Sequence, residues 1–202
     1  MTLKELYCQI YDGETTKDSD RFIEIYETNR PVVENVETEK SKDEHNMLMR
    51  LKADYAHNLT LKERYTKAIP EIQMALELFE SYPDFKDSNH LQIGFYETLV
   101  FDKAIANFHL RNLNDSIRDL KKLTKEFPSN DIYSNWLKTI KSYKYQKLKY
   151  ARWYVFGGLM IVLTFFGEQT LGEAYIILLF IALTIFFTNV VGDLRSLLKK
   201  VE

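Results

Sequence analysis

The sequence predicts an all-α fold, in which a helical bundle is followed by a transmembrane helical hairpin. Three observations carry this. Two C-terminal stretches are apolar on every side, and most of the remaining chain repeats its apolar residues at helical spacing. Glycine and proline are also scarce, 7 and 4 in 202 residues, too few for the tight turns of a β architecture.

From the N-terminus, Thr2-Leu3-Lys4-Glu5 and Thr60-Leu61-Lys62-Glu63 both match the capping box, in which a threonine hydroxyl and a glutamate satisfy free backbone N–H groups. Gly13–Asp18 reads as a polar link. Ser19 or Asp20 caps a short helix through Tyr26, which Asn29-Arg30-Pro31 ends. A second helix is expected from Pro31 through the charged stretch Glu34–Glu44 to His57, its apolar stripe at Met47, Leu51 and Tyr55.

Two later segments have a different character. Lys67–Leu78 places a small residue, a bulky one and a small one at Ala68, Ile72 and Ala75. Ala106–Leu120 offers a turn and then Ser116 and Leu120 at the first two of these positions, with Pro128 beyond. Residues 44–148 thereby resemble the tetratricopeptide repeat, whose paired helices pack closely through such small residues. The resemblance implies stacked helical hairpins, a repeat-like helical bundle of six or seven helices over residues 1–150, and binding of proteins. The sequence departs from that pattern at several points. Arg111 takes the usual turn glycine, Leu123 the second small position, and Pro83 comes late for the first unit. Ala68 and Ser116 lie 48 residues apart, against the ~34 of the repeat.

Ser129-Asn130-Asp131 caps a helix with an expected apolar face of Ile132, Trp136, Ile140 and Tyr143. No glycine or proline intervenes between Pro128 and Gly157, so this helix should run on into the first apolar stretch. That stretch, Ala151–Gly167, and a second, Ala174–Gly192, reach roughly 26 and 28 Å at 1.5 Å per residue, close to the ~30 Å bilayer core. Residues 151–202 are therefore read as a two-span hairpin with a short basic tail. Lys141, Lys144, Lys147, Lys149 and Arg152 precede the first span, and Arg195, Lys199 and Lys200 follow the second. The turn Glu168–Glu173 has acids and no cation. The excess of cations on one side places both termini in the cytoplasm. Trp153 and Tyr154, with Tyr143, Tyr145 and Tyr150, suit an aromatic belt among headgroups. Thr170 is expected to cap the second span, with Glu173 reaching back. The polar span residues Thr164, Thr184, Thr188 and Asn189 admit two readings: bonding to their own helix backbone, or contact with another helix or a pore lumen.

Charge is divided along the chain. Residues 1–130 carry 18 Lys and Arg against 24 Asp and Glu, whereas residues 131–202 carry 9 against 5. The start, Met1–Tyr7, is charged and lacks the apolar core of a signal peptide, and the single cysteine, Cys8, excludes an internal disulfide framework. His45, His57, His90 and His109 have no metal-ligand spacing, and no phosphate-binding glycine loop or nucleophile elbow occurs. Lys40 and His45 only mimic the Arg-x4-His signature of helical ribonucleases. No enzyme activity and no cofactor are expected. The basic neck before the first span fits anionic headgroups better than nucleic acid, at ~1 kcal/mol per cation. The sequence thus favours a membrane-anchored scaffold that recruits a cytosolic protein. The alternative is a small oligomeric membrane pore or effector, of the bacterial immunity or stress accessory kind, gated by its helical domain. A membrane-bound ribonuclease or nucleotide sensor stands third.

Overall fold

The computed structural model describes residues 1–11, 18–35, 42–82 and 89–198, with the backbone alone for 193–198. Among these the secondary structure is helical throughout: α1 (Leu3–Ile10), α2 (Ser19–Thr28), α3 (Arg30–Glu34), α4 (Lys42–Leu61), α5 (Tyr65–Ser81), a 3₁₀ turn (His90–Gln92), α6 (Gly94–His109), α7 (Leu113–Glu126), α8 (Asp131–Leu171) and α9 (Glu173–Leu198). The chain divides into two compact units, Met1–Ile140 and Lys141–Glu202, ten residues before the boundary expected from hydropathy. The polar link, Pro83, Lys40 and the charged stretch before Lys42 fall largely or wholly outside the described residues, as do Lys199 and Lys200.

Local chemistry explains the first three helix starts. Thr2 forms the expected capping box on α1: Glu5 N–H donates to its hydroxyl at 3.2 Å, and Thr2 N–H donates to the Glu5 carboxylate at 2.8 Å. Asp18, not Ser19 or Asp20, caps α2 by accepting from the N–H groups of Asp20 and Arg21. Pro31 lies in the first turn of α3, where its missing N–H costs nothing; α3 ends at Glu34 and α4 begins at Lys42, where one helix was expected from Pro31 to His57. The second capping box does not form. Thr60 lies in the last turn of α4 with its hydroxyl donating to the Ala56 carbonyl at 3.1 Å, and α5 begins only at Tyr65.

The core comes from consecutive packing: α4 on α5, α5 on α6, α6 on α7, with α1 and α2 laid against α4. Leu51 and Tyr55 are fully enclosed, together with Ala68, Ile72 and Ala75 of α5 and Ser116, Leu120 and Leu123 of α7. Small side chains there allow close approach: the buried Ser116 hydroxyl donates to the Ala104 carbonyl of α6 at 2.7 Å. Tyr26 and Tyr55 stack at 3.9 Å, and the Tyr55 hydroxyl donates to Glu27, which also receives Lys67. Arg30 joins α3 to α5 by donating to buried Glu71 at 2.7 Å. At the start of α8 the buried face is Tyr133, Leu137 and Ile140. Ile132, expected inside, is exposed, because the face is rotated by one residue and Tyr133 meets Phe101 and Phe127.

Two turns share one hydrogen-bond pattern. After α4, Arg64 N–H donates to Leu59 O and Glu63 N–H to Thr60 O. After α6, Asn112 N–H donates to Asn107 O and Arg111 N–H to Phe108 O. Each is a Schellman closure, and its left-handed residue is Glu63 at φ 57° or Arg111 at φ 67°. Both helical hairpins thus turn through a conformation that suits glycine without having one. Glu63→Gly and Arg111→Gly should each stabilise the helical unit by about 1 kcal/mol, read as a higher urea midpoint of the detergent-solubilised chain.

Candidate functional site

α8, from Lys141 onward part of the second unit, and α9 are each long and apolar enough to cross a bilayer. The mean hydropathy of Glu173–Gly192 is 2.4, yet in their most apolar windows only 6% and 11% of the α8 and α9 residues are buried. A core helix of a soluble protein reaches such hydropathy by being enclosed, and these are not. Their outward faces carry Met160, Ile161 and Phe165 on α8, and Ile176, Ile177, Phe180 and Phe187 on α9, with Phe165 82% and Phe180 73% exposed.

The inward stripe of α9 recurs at heptad-like spacing, through Leu178, Ala182, Ile185, Asn189 and Gly192. Ala182 and Leu163 are buried, Phe186 packs against Phe156 and Trp153, and the Tyr145 hydroxyl lies where a Cβ on Gly192 would come within 2.5 Å of it. Asn189 belongs to this stripe, 3% exposed, and its amide nitrogen has no hydrogen-bond partner among the described residues. The three threonines instead face outward. Thr164, Thr184 and Thr188 donate to the carbonyls of Met160, Phe180 and Ile185 in their own helices, at 2.7, 2.9 and 2.9 Å. The structure therefore sorts the four polar span residues, one inward and three outward.

The connecting turn differs from expectation. α9 starts at Glu173, so Thr170 is not its cap, and the helical turn before it is bounded by Gly167 at φ 58° and Gly172 at φ 53°. These left-handed glycines end one helix and open the next, where sequence pattern alone favoured a threonine. No other break interrupts α8 from Asp131, and it passes through Gly157 and Gly158 as helix.

Around the start of the first span, Lys141, Lys147, Arg152 and Tyr154 are exposed, while Lys144 and Lys149 are half-buried. Trp153 turns inward, its ring meeting Phe156 at 5.6 Å and Phe186 at 6.2 Å, so it is a packing residue as much as a belt residue. Arg195 lies on α9, with only its backbone described.

The first unit holds a polar constellation that sequence reading did not single out. Arg50, Asp54 and His57 follow one another at i, i+4 and i+7 on α4, a spacing that places all three on one face and was its available signal. The Arg50 guanidinium lies 4.5 Å from the Tyr11 ring centroid and donates to the Tyr7 hydroxyl at 3.1 Å. Tyr11 donates to Asp54, and His57 Nδ1 lies 2.7 Å from Asp102 Oδ2 of α6. Burial pushes the Asp54 and Asp102 carboxyls above their ordinary range, with Tyr11 and His57 respectively opposing it. The Asp102 hydrogen bond raises His57, against its own burial. These contacts join α1 and α6 to α4, and exposed Phe95 lies beside Arg50.

The other histidines are absorbed by packing. His109 stacks on Tyr65 at 4.4 Å, His90 on Tyr96 at 5.4 Å, and buried His45 on Tyr82 at 4.5 Å. No group of three metal-ligating side chains converges among the described residues. No protein-family model matches the chain, and neither a curated protein nor a solved structure does.

The His57–Asp102 pair makes stability depend on pH. Because the folded pKa of His57 is raised, the pair's contribution is complete below the unfolded value of about 6.5 and is lost as pH rises through the folded value. Thermal unfolding of the full chain should therefore show a midpoint falling between pH 6 and 9. Asp102→Asn should flatten that slope.

Proposed function

We propose that this chain is a two-span membrane anchor that displays its helical domain in the cytosol and docks a protein partner there. The observation that carries the anchoring is the outward apolar face of α8 and α9, a surface suited to lipid and unsuited to water. The cations before the first span, with an acidic turn between the spans, support a hairpin whose two ends share the cytosolic side.

For the docking role, support comes from the domain's form and surface. Successive helical hairpins with small residues at their contacts resemble tetratricopeptide units, which bind proteins, and this is analogy from fold. Tyr7, Arg50 and Phe95 group residue types that commonly anchor interfaces, two of them on α4 and α6 of those hairpins. A partner would be recognised there by aromatic and cationic contact. No nucleophile, metal or cofactor enters this reading.

Cys8 is the sole cysteine and is exposed, which supplies a topology probe without engineering. A membrane-impermeant maleimide added to intact cells should leave Cys8 unlabelled until the membrane is permeabilised. In Cys8→Ser, Gln169→Cys the same reagent should label from outside. Labelling of Cys8 in intact cells would reverse the topology, and extraction of the chain by alkaline carbonate would remove the anchor. For docking, a crosslinked species formed in native membranes should disappear with Phe95→Glu, and its persistence would rule out this face.

A further inference from the structure

We propose that the face of α8 at Tyr143–Tyr154 is a seat for one anionic glycerophospholipid of the inner leaflet. The proposal rests on the membrane reading above and specifies a site within it. A groove of about 340 Å³ runs along this face, lined by Tyr143, Gln146, Lys147, Tyr150, Ala151 and Tyr154. Its form follows from sequence: Ala151 is the small residue between larger side chains, at helical spacings that bring all six to one face.

Charge selects the occupant. No acidic residue occurs from Ile132 to Gly167, while Lys141, Lys144, Lys147, Lys149 and Arg152 fall in the same stretch, and Lys147 opens on the groove itself. A phosphodiester would give Lys147 an anionic partner on this face. Lys147 is a donor for its oxygens, with the amide of Gln146 and the hydroxyls of Tyr150 and Tyr154 as neutral donors beside it.

Position selects a lipid over a soluble phosphate. The groove extends about 16 Å along the helix, from Tyr143 to Tyr154. Below Tyr154 the same face of the helix carries Ile161 and Phe165, which are exposed and apolar. An acyl chain leaving the groove at Tyr154 meets that surface, while the headgroup remains with Lys147. Tyr150 and Tyr154 are 61% and 80% exposed, amphipathic rings on either side of Ala151 that suit this boundary.

The test is native mass spectrometry of the purified full chain, equilibrated in detergent with either phosphatidylglycerol or phosphatidylcholine. One phosphatidylglycerol per chain should be retained preferentially, by about fivefold or more. Lys147→Gln should reduce that retention about fivefold. Ala151→Leu, which fills the groove without altering charge, should reduce it at least as much, while Lys141→Gln, off the groove, leaves it within about twofold. Equal retention of the two lipids would overturn the site. So would equal losses in Lys141→Gln and Lys147→Gln with none in Ala151→Leu, the pattern of diffuse attraction. Alkaline carbonate extraction separates the two levels. A wild-type chain that is extracted defeats the membrane reading and this site with it; one that resists, with either overturning pattern, defeats the site alone.

Discussion

The outward side chains of α8 and α9 govern the rest of this molecule, because they must leave water. Phe165, Phe180, Phe187, Ile161, Ile176 and Ile177 are among more than ten large apolar residues that the hairpin leaves uncovered. At about 1.5–3 kcal/mol for each side chain fully removed from water, their exposure amounts to tens of kcal/mol. A whole domain is stable by only about 5–15 kcal/mol. Insertion into a bilayer, as proposed above, would offset that exposure. The helical form suits that proposal, since in lipid each backbone N–H and C=O needs a partner within the segment.

The polar residues of the hairpin fit that environment. Thr164, Thr184 and Thr188 face outward and are satisfied by carbonyls of their own helices, so none presents an unbonded hydroxyl to hydrocarbon. Asn189 takes the opposite course and lies inside the α8–α9 contact. Close packing there depends on Ala182 and on Gly192, where a side chain would meet the Tyr145 hydroxyl. In lipid, where apolar contact gives no preference for helix over tail, such packing is the main force joining two spans.

The helical unit is held differently. Its α4–α7 hairpins close on small residues and on left-handed turns at Glu63 and Arg111, and polar pairs join the flanking helices to that frame. Arg30 on Glu71 fixes α3 to α5; Tyr11 on Asp54 fixes α1 to α4; His57 on Asp102 fixes α4 to α6. Burial of Glu71 and Asp102 makes these pairs specific, because removing one partner leaves a desolvated carboxylate. The face that results carries aromatic and cationic side chains with solvent access, the feature on which the docking proposal stands.

What the sequence determined by itself was whatever depends on composition and local period. The all-α class, the two long apolar helices, the Thr2 cap, and the buried Ala68, Ile72, Ala75, Ser116 and Leu120 were legible because neighbouring residues on one helix settle them. Tertiary structure decided the rest. Thr60 and Thr170 match a capping pattern, yet their helices start elsewhere, since turn geometry at Glu63 and Gly172 outweighs a single side-chain hydrogen bond. Ile132 and Tyr133 compete for the interior, and Phe101 and Phe127 resolve it in favour of Tyr133. The pairing of His57 with Asp102 joins residues 45 positions apart, and no local pattern specifies it. Contacts between distant segments are fixed only when helices pack, and the polar face and the orientation of Asn189 both belong to that level.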